Sequence, residues 1–110
     1  GEALGRIGDP LAVDHLVRAL RDENARVRGA SARALGEIGE GQAVGPLLTG
    51  LRDPDRYVRY GTALALGKLG WVPGSEEEHA FRLLGLQAWA GLAALGPPAI
   101  PALDLALKDR

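Results

Sequence analysis

Hydrophobic residues recur at helical spacing along this chain. Four of them stand at positions i, i+3, i+4 and i+7, on one face of a helix: Val13, Leu16, Val17 and Leu20. The same spacing returns as Val44, Leu47, Leu48 and Leu51. Further helices are predicted from about Asn24 to Ile38 and from about Asp55 to Leu69, each stopped by a glycine that can enter the left-handed region. The pattern predicts two successive helical hairpins.

The hairpins repeat at a fixed interval. Ala34-Leu35-Gly36 returns as Ala65-Leu66-Gly67, 31 residues later. Val27-Arg28 returns as Val58-Arg59 at the same interval. Such a period is typical of repeat proteins, in which each unit buries its apolar face by stacking on its neighbours.

These signals divide the sequence into units of one domain, residues 1–110. We expect a partial repeat at 1–8, full repeats at 9–39 and 40–70, a modified repeat at 71–96 and a partial repeat at 97–110. In the modified repeat, Ser75 three residues before Glu78 predicts a helix start with a capping box, and the helix is expected to break near Gly85. Both ends of the sequence fall inside a unit, so we expect a piece of a longer array.

The 31-residue hairpin resembles the short HEAT-like repeat of the phycobilisome-lyase (PBS lyase) type. The residues that carry the resemblance are Val27-Arg28, Ala34-Leu35-Gly36, Ile38-Gly39, Ala43-Val44 and Leu47, with their equivalents in the next unit. The resemblance implies an all-α, right-handed solenoid with first helices on the convex side and second helices on the concave side. It also implies a structural ladder of Arg–Asp pairs between units, formed by Asp22, Arg28, Asp53 and Arg59.

Composition narrows the range of functions. The hydrophobic share of 46% predicts a packed core rather than a disordered chain. Because cysteine is absent, a disulfide framework, a thiol nucleophile and a thiolate metal site are excluded. A formal charge of -1 argues against a protein that binds polyanions through its net charge. We expect no cofactor, no metal, no small-molecule substrate and no membrane partner, and a cytoplasmic location.

The outward sector of the second helices carries the candidate binding residues. Core positions are copied between units, whereas this sector changes from charged side chains to aromatic and aliphatic ones. Tyrosine and arginine are enriched in binding hot spots. We therefore expect a partner-binding surface; the alternative is that its tyrosines pack inside the array. The candidate residues are Arg26, Arg33, Glu37, Tyr57, Tyr60, Leu64 and Lys68.

The sector of the second helices opposite these candidate residues carries small residues. Ala32 and Gly36 recur as Ala63 and Gly67. Small side chains let two helices approach closely, so we expect these residues at the joints between units.

The expected function is a non-catalytic scaffold that binds another protein through the concave face of the second helices. A first alternative is an enzyme whose active residues lie outside this segment, since HEAT-like relatives include bilin lyases and iron-dependent deoxyhypusine hydroxylases. The hydroxylases use His-Glu dipeptides as metal ligands, whereas here His15 and His79 precede Leu16 and Ala80. A second alternative is a nucleic-acid-binding module that uses the basic residues Arg6, Arg26, Arg33, Arg56 and Lys68.

Overall fold

The computed structural model describes residues 10–108, which contain seven α-helices and no strand. The predicted all-α class is confirmed, while the predicted partial repeat at 1–8 lies outside the described residues. The helices are α1 (Pro10–Ala19), α2 (Ala25–Ile38), α3 (Val44–Leu48), α4 (Arg56–Lys68), α5 (Glu76–Gly85), α6 (Trp89–Leu95) and α7 (Ile100–Leu107). Short 3-10 turns occupy Gly41–Ala43, Thr49–Arg52 and Pro97–Ala99.

Polar caps begin the two second helices in the same way. The Asn24 side chain accepts a hydrogen bond from the backbone N–H of Arg26 at 2.8 Å. The Asp55 side chain accepts from the N–H groups of Tyr57 and Val58 at 2.8 and 3.2 Å. These bonds satisfy amides that have no partner within the helix. Equivalent residues therefore start α2 and α4 at equivalent points of the repeat.

The helices α2 and α4 lie side by side and make the most extensive helix–helix contact of the described chain. A Cβ built at Gly36 would lie 2.7 Å from the Cα of Ala65, so the two backbones meet where the sequence has a glycine. Ala32 and Leu35 are fully buried beside this contact. The prediction of a small-residue joint is correct for this pair of helices.

The joint that follows α4 is built differently. Here α5 packs against α4, and a Cβ at Gly85 would lie 2.8 Å from the carbonyl oxygen of Arg59 and 3.1 Å from the Cβ of Ala63. A Cβ at Gly67 would meet no described atom within 4 Å. The expectation that Gly67 lies at a joint is wrong, because α5 contacts α4 nearer to the middle of α4. The helix α6 then packs on α5.

Candidate functional site

The predicted tyrosine surface lies on the outward side of α4. Tyr57 is 72% exposed and Tyr60 is 39% exposed, while Leu64 is half-buried. The spacing i, i+3, i+7 places them along one helix face. In the described chain these tyrosines are therefore available at the surface.

An ion pair joins α2 to α4 at one end of this surface. The Lys68 ammonium donates a hydrogen bond to the Glu37 carboxylate, and both side chains are exposed. This hydrogen bond, followed by the charge of Lys68, lowers the pKa of Glu37. Arg33 and Leu64 line the same shallow groove of about 60 Å³. Four of the predicted binding residues thus come together here.

The other end of the surface lies between the starts of α2 and α4. Arg26 and Tyr57 line a shallow cavity of about 460 Å³ together with the cap residues Asn24 and Asp55. The Arg56 guanidinium carbon lies 5.7 Å from the centre of the Tyr57 ring, within range of a cation–π contact. The side chains of Arg26 and Arg56 and the exposed ring of Tyr57 therefore lie close together at this end of the surface.

The arginines of the implied ladder hold the loops between helices. Arg28 donates from Nε and Nη2 to the Asp53 carboxylate at 2.9 and 3.1 Å, and from Nη1 to the carbonyl oxygens of Asp22 and Glu23 at 2.8 and 3.0 Å. The hydrogen bond with Asp53 is the main cause that raises the pKa of Arg28. The Asp22 carboxylate instead accepts from the backbone N–H of Asn24.

Arg59 repeats the carbonyl contacts one unit later. Its Nη1 donates to the carbonyl oxygens of Asp53 and Pro54 at 2.8 and 3.1 Å, and the side chain is 3% exposed. Arg28 and Arg59 thus hold equivalent loops in two successive hairpins. The residue 31 positions after Asp53 is Leu84, which lies inside α5 rather than in a loop.

A third site involves residues that the sequence alone does not bring together. Arg56, Gln87 and Trp89 line a pocket of about 200 Å³ with Arg59, Leu84 and Ala106. Gln87 has φ of 60°, which is the only positive φ of a non-glycine residue in the described range. The composition and residue spacing of the sequence do not predict a positive φ at Gln87.

Among residues 10–108, neither histidine belongs to a cluster that could bind a metal ion. His15 is exposed on α1, and Nδ1 of His79 lies 3.1 Å from Nη2 of Arg82. No group of three or more His, Cys, Asp or Glu side chains within residues 10–108 could hold a metal ion. No helix in that range is long and apolar enough to cross a membrane.

Stacked helical hairpins with a repeat of 31 residues define an α-helical repeat protein. The family model of HEAT repeats matches residues 13–84, about two thirds of the chain, and that of the PBS lyase HEAT-like repeat matches residues 1–22. The chain therefore belongs to the HEAT repeat family, and the resemblance seen in the sequence is confirmed. Proteins built from HEAT repeats generally act as scaffolds for protein interactions. Comparison with curated proteins and with solved structures gives no match.

Proposed function

We propose that this chain is a non-catalytic scaffold that binds a partner protein on the outward side of α2 and α4. The observation that carries the proposal is the 72% exposure of Tyr57, on a well-packed helix and beside the Arg56 guanidinium. An aromatic ring of this kind has contact area to bury and a hydroxyl that can hydrogen-bond to a partner. The packing of α4 does not require Tyr57 to be exposed at this position.

The expected contribution of the two tyrosines to binding follows from the surface area that each would bury against a partner. Fully burying a large apolar side chain stabilises an assembly by about 1.5–3 kcal/mol. Tyr57 and Tyr60 sit on a helix that is already ordered, so a partner would lose little backbone entropy of this chain on binding. The flanking residues Arg26 and Arg33 add donors at the rim, where charged side chains act mainly on specificity and association rate.

The nucleic-acid alternative is weaker on the same surface. Lys68, one of its proposed cations, is paired with Glu37. A phosphate backbone would have to compete with that carboxylate, and the chain as a whole has a formal charge of -1. The surface therefore favours a protein partner with apolar and polar groups over a polyanion.

A double substitution tests the proposal. Cellular proteins that co-purify with the tagged full chain are compared quantitatively with those bound by Tyr57→Ala/Tyr60→Ala. A matched control is Val72→Ala, because Val72 is also apolar and 76% exposed but belongs to another segment. We expect the double variant to lose specific partners that wild type and Val72→Ala retain, and a purified partner to bind it at least about tenfold more weakly.

The melting temperature separates binding from folding. Exposed substitutions usually change stability by less than about 0.5 kcal/mol, so circular dichroism of the double variant should match wild type. Unchanged affinity for the partners of wild type would refute the proposed surface. A large loss of melting temperature would show that the tyrosines are part of the core.

A further inference from the structure

We propose that the outward surface of α2 and α4 binds a short acidic segment of the partner protein, with its carboxylates at the end where the two helices begin. The inference rests on the proposed function, because it names the chemistry of the partner for the same surface. The chain as a whole has a formal charge of -1. By contrast, α2 contains three basic residues and one acidic residue, and α4 contains three basic residues and no acidic one.

Most of this positive charge lies at the surface. Two of the six basic residues donate to loop carbonyl oxygens. The other four are exposed: Arg26, Arg33, Arg56 and Lys68. Lys68 is paired with Glu37, whereas within residues 10–108 no ion pair engages Arg26 or Arg56. Both of these arginines stand at the end where α2 and α4 begin, so that end has cations to offer to a partner.

The acceptor groups at this end are used within the protein. The carboxylate of Asp55 accepts from two backbone N–H groups of α4 at 2.8 and 3.2 Å, and the Asn24 side chain accepts from the N–H of Arg26 at 2.8 Å. The cavity of about 460 Å³ beside them is lined by Arg26 from one helix and Tyr57 from the other. The Arg56 guanidinium lies next to the same tyrosine ring. Two guanidinium groups therefore outnumber one carboxylate here, and a guanidinium matches a planar carboxylate in geometry.

The middle of the surface can hold an apolar side chain. A Cβ built at Gly61 would lie 3.0 Å from Cγ of Arg33, so the aliphatic stem of Arg33 lies across α4 at this glycine. The half-buried Leu64 lines the groove beyond it. From residue 57 to residue 68 the helix rises roughly 16 Å, which is the length of about five residues of extended chain. A short segment therefore spans the whole surface.

The far end of the surface sets the direction of the segment. Glu37 is the acidic residue of α2, and its carboxylate accepts from Lys68. A second carboxylate at this end would be repelled by Glu37 and would compete with it for Lys68. The acidic residues of the segment are therefore favoured at the opposite end, near Arg26 and Arg56.

The probe is a fluorescein-labelled hexapeptide of three glutamates followed by leucine and two serines. A glutamine-for-glutamate peptide and a single-stranded oligothymidylate of six nucleotides serve as comparisons. Binding to the full chain is followed by fluorescence anisotropy at low salt. We expect the glutamate peptide to bind at least about tenfold more tightly than the glutamine peptide, since charge-assisted hydrogen bonds are lost in the second. No glutamate-dependent binding at millimolar peptide, or tighter binding of the oligonucleotide, would overturn the proposal.

Two double variants locate the binding. Arg26→Gln/Arg56→Gln should weaken the glutamate peptide at least about tenfold. The control Arg18→Gln/Arg21→Gln makes an equal change of charge at exposed positions of α1 and the turn after it, and it should change the affinity less than about twofold. Circular dichroism should show the same melting temperature for both variants and wild type, because all four side chains are exposed. Equal losses of affinity in the two variants would mean that net charge alone attracts the peptide, which would overturn the assigned surface.

The cellular partners separate this inference from the proposed function. Partners that Tyr57→Ala/Tyr60→Ala loses and Arg26→Gln/Arg56→Gln retains would leave the proposed function intact and refute the acidic segment. Partners that both variants lose would support both. Arginine-dependent binding of the glutamate peptide, together with partners that do not depend on the tyrosines, would refute the proposed function while the acidic-segment site remains.

Discussion

The carboxylate of Asp53 accepts two hydrogen bonds from Arg28 of the preceding hairpin, at 2.9 and 3.1 Å. The two side chains are largely shielded from water, with exposed fractions of 17% for Arg28 and 12% for Asp53. The same carboxylate accepts from the backbone N–H of Asp55 at 2.9 Å. One acidic side chain therefore joins two hairpins and orders the loop that leads into α4.

Asp53→Asn should reduce the free energy of unfolding by about 2–4 kcal/mol. The substitution leaves the shielded Arg28 guanidinium without its charged partner, and an isolated shielded charge is costly. Urea denaturation measures the loss. The control is Asp104→Asn, whose carboxylate is 63% exposed and pairs with Lys108 at 3.4 Å. It should change stability by less than about 0.5 kcal/mol. Equal losses in the two variants would contradict a special role for the Asp53 pair.

Gly36→Ala and Gly67→Ala should have opposite effects although their positions are equivalent in the repeat. The new Cβ at residue 36 would lie 2.7 Å from the Cα of Ala65, so α2 and α4 must separate and stability should fall by about 1–3 kcal/mol. At residue 67 the Cβ meets no described atom within 4 Å. Alanine there should stabilise α4 by up to about 1 kcal/mol through helix propensity.

Thermal and urea unfolding of both alanine variants measure the difference. A loss of stability in Gly67→Ala as large as that in Gly36→Ala would mean that another element packs over Gly67. Such a result would support the expectation that the two joints are built in the same way.

Thr62→Val should stabilise the protein by about 1 kcal/mol. Thr62 is fully buried, and its Oγ1 has no hydrogen-bond partner among the described residues. Replacing such a hydroxyl with a methyl group removes the penalty of an unsatisfied polar atom at nearly constant volume. The comparison is Ser31→Ala at the equivalent position of α2. There the hydroxyl donates to the carbonyl of Val27 at 2.7 Å, so its loss should cost about 1 kcal/mol.

Chemical denaturation of the Thr62 and Ser31 variants gives the two changes directly. A Thr62→Val protein less stable than wild type would indicate that a water molecule or another group satisfies the hydroxyl.

The Glu37–Lys68 pair predicts an acid-sensitive contribution to stability. The pKa of Glu37 is lower in the folded protein than its ordinary value of about 4.3, chiefly because Lys68 donates to its carboxylate. The contribution is therefore present above the unfolded-state pKa and is lost as the pH falls through the lower folded-state pKa. The melting temperature of wild type should exceed that of Glu37→Gln at neutral pH and converge with it in acid.

Salt provides the control for this pair. Because both side chains are exposed, the difference between wild type and Glu37→Gln should be small and should shrink further at high ionic strength. A difference that does not change with pH or salt would contradict an electrostatic origin.

Local features of the molecule could be predicted closely. The second helix of the first full repeat, expected from about Asn24 to Ile38, is observed at Ala25–Ile38, and the break expected near Gly85 follows that residue. Burial follows the repeat less closely than helix position does, since Val27 is 37% exposed. Its equivalent Val58 is buried, with atoms within 4 Å of a Cβ built at Gly29 of α2.

The candidate site was predictable only in part. Helical spacing placed Tyr57 and Leu64 on one face, and the 31-residue interval placed Glu37 and Lys68 at equivalent points of adjacent helices. The pocket at Gln87 was not predictable. It depends on a left-handed glutamine and on the position that α5 takes against α4.

The amino-acid sequence by itself determined the helices, their caps and the repeated hairpin. Hydrogen bonds within a helix and its amphipathic stripe depend on residues only a few positions apart. Tertiary structure alone decided that Gly85 rather than Gly67 meets its neighbour at the second joint, and that a donor-lined pocket opens beside it. The physical reason is that close packing joins elements distant along the chain, so a change in one unit moves the contact surface of the next.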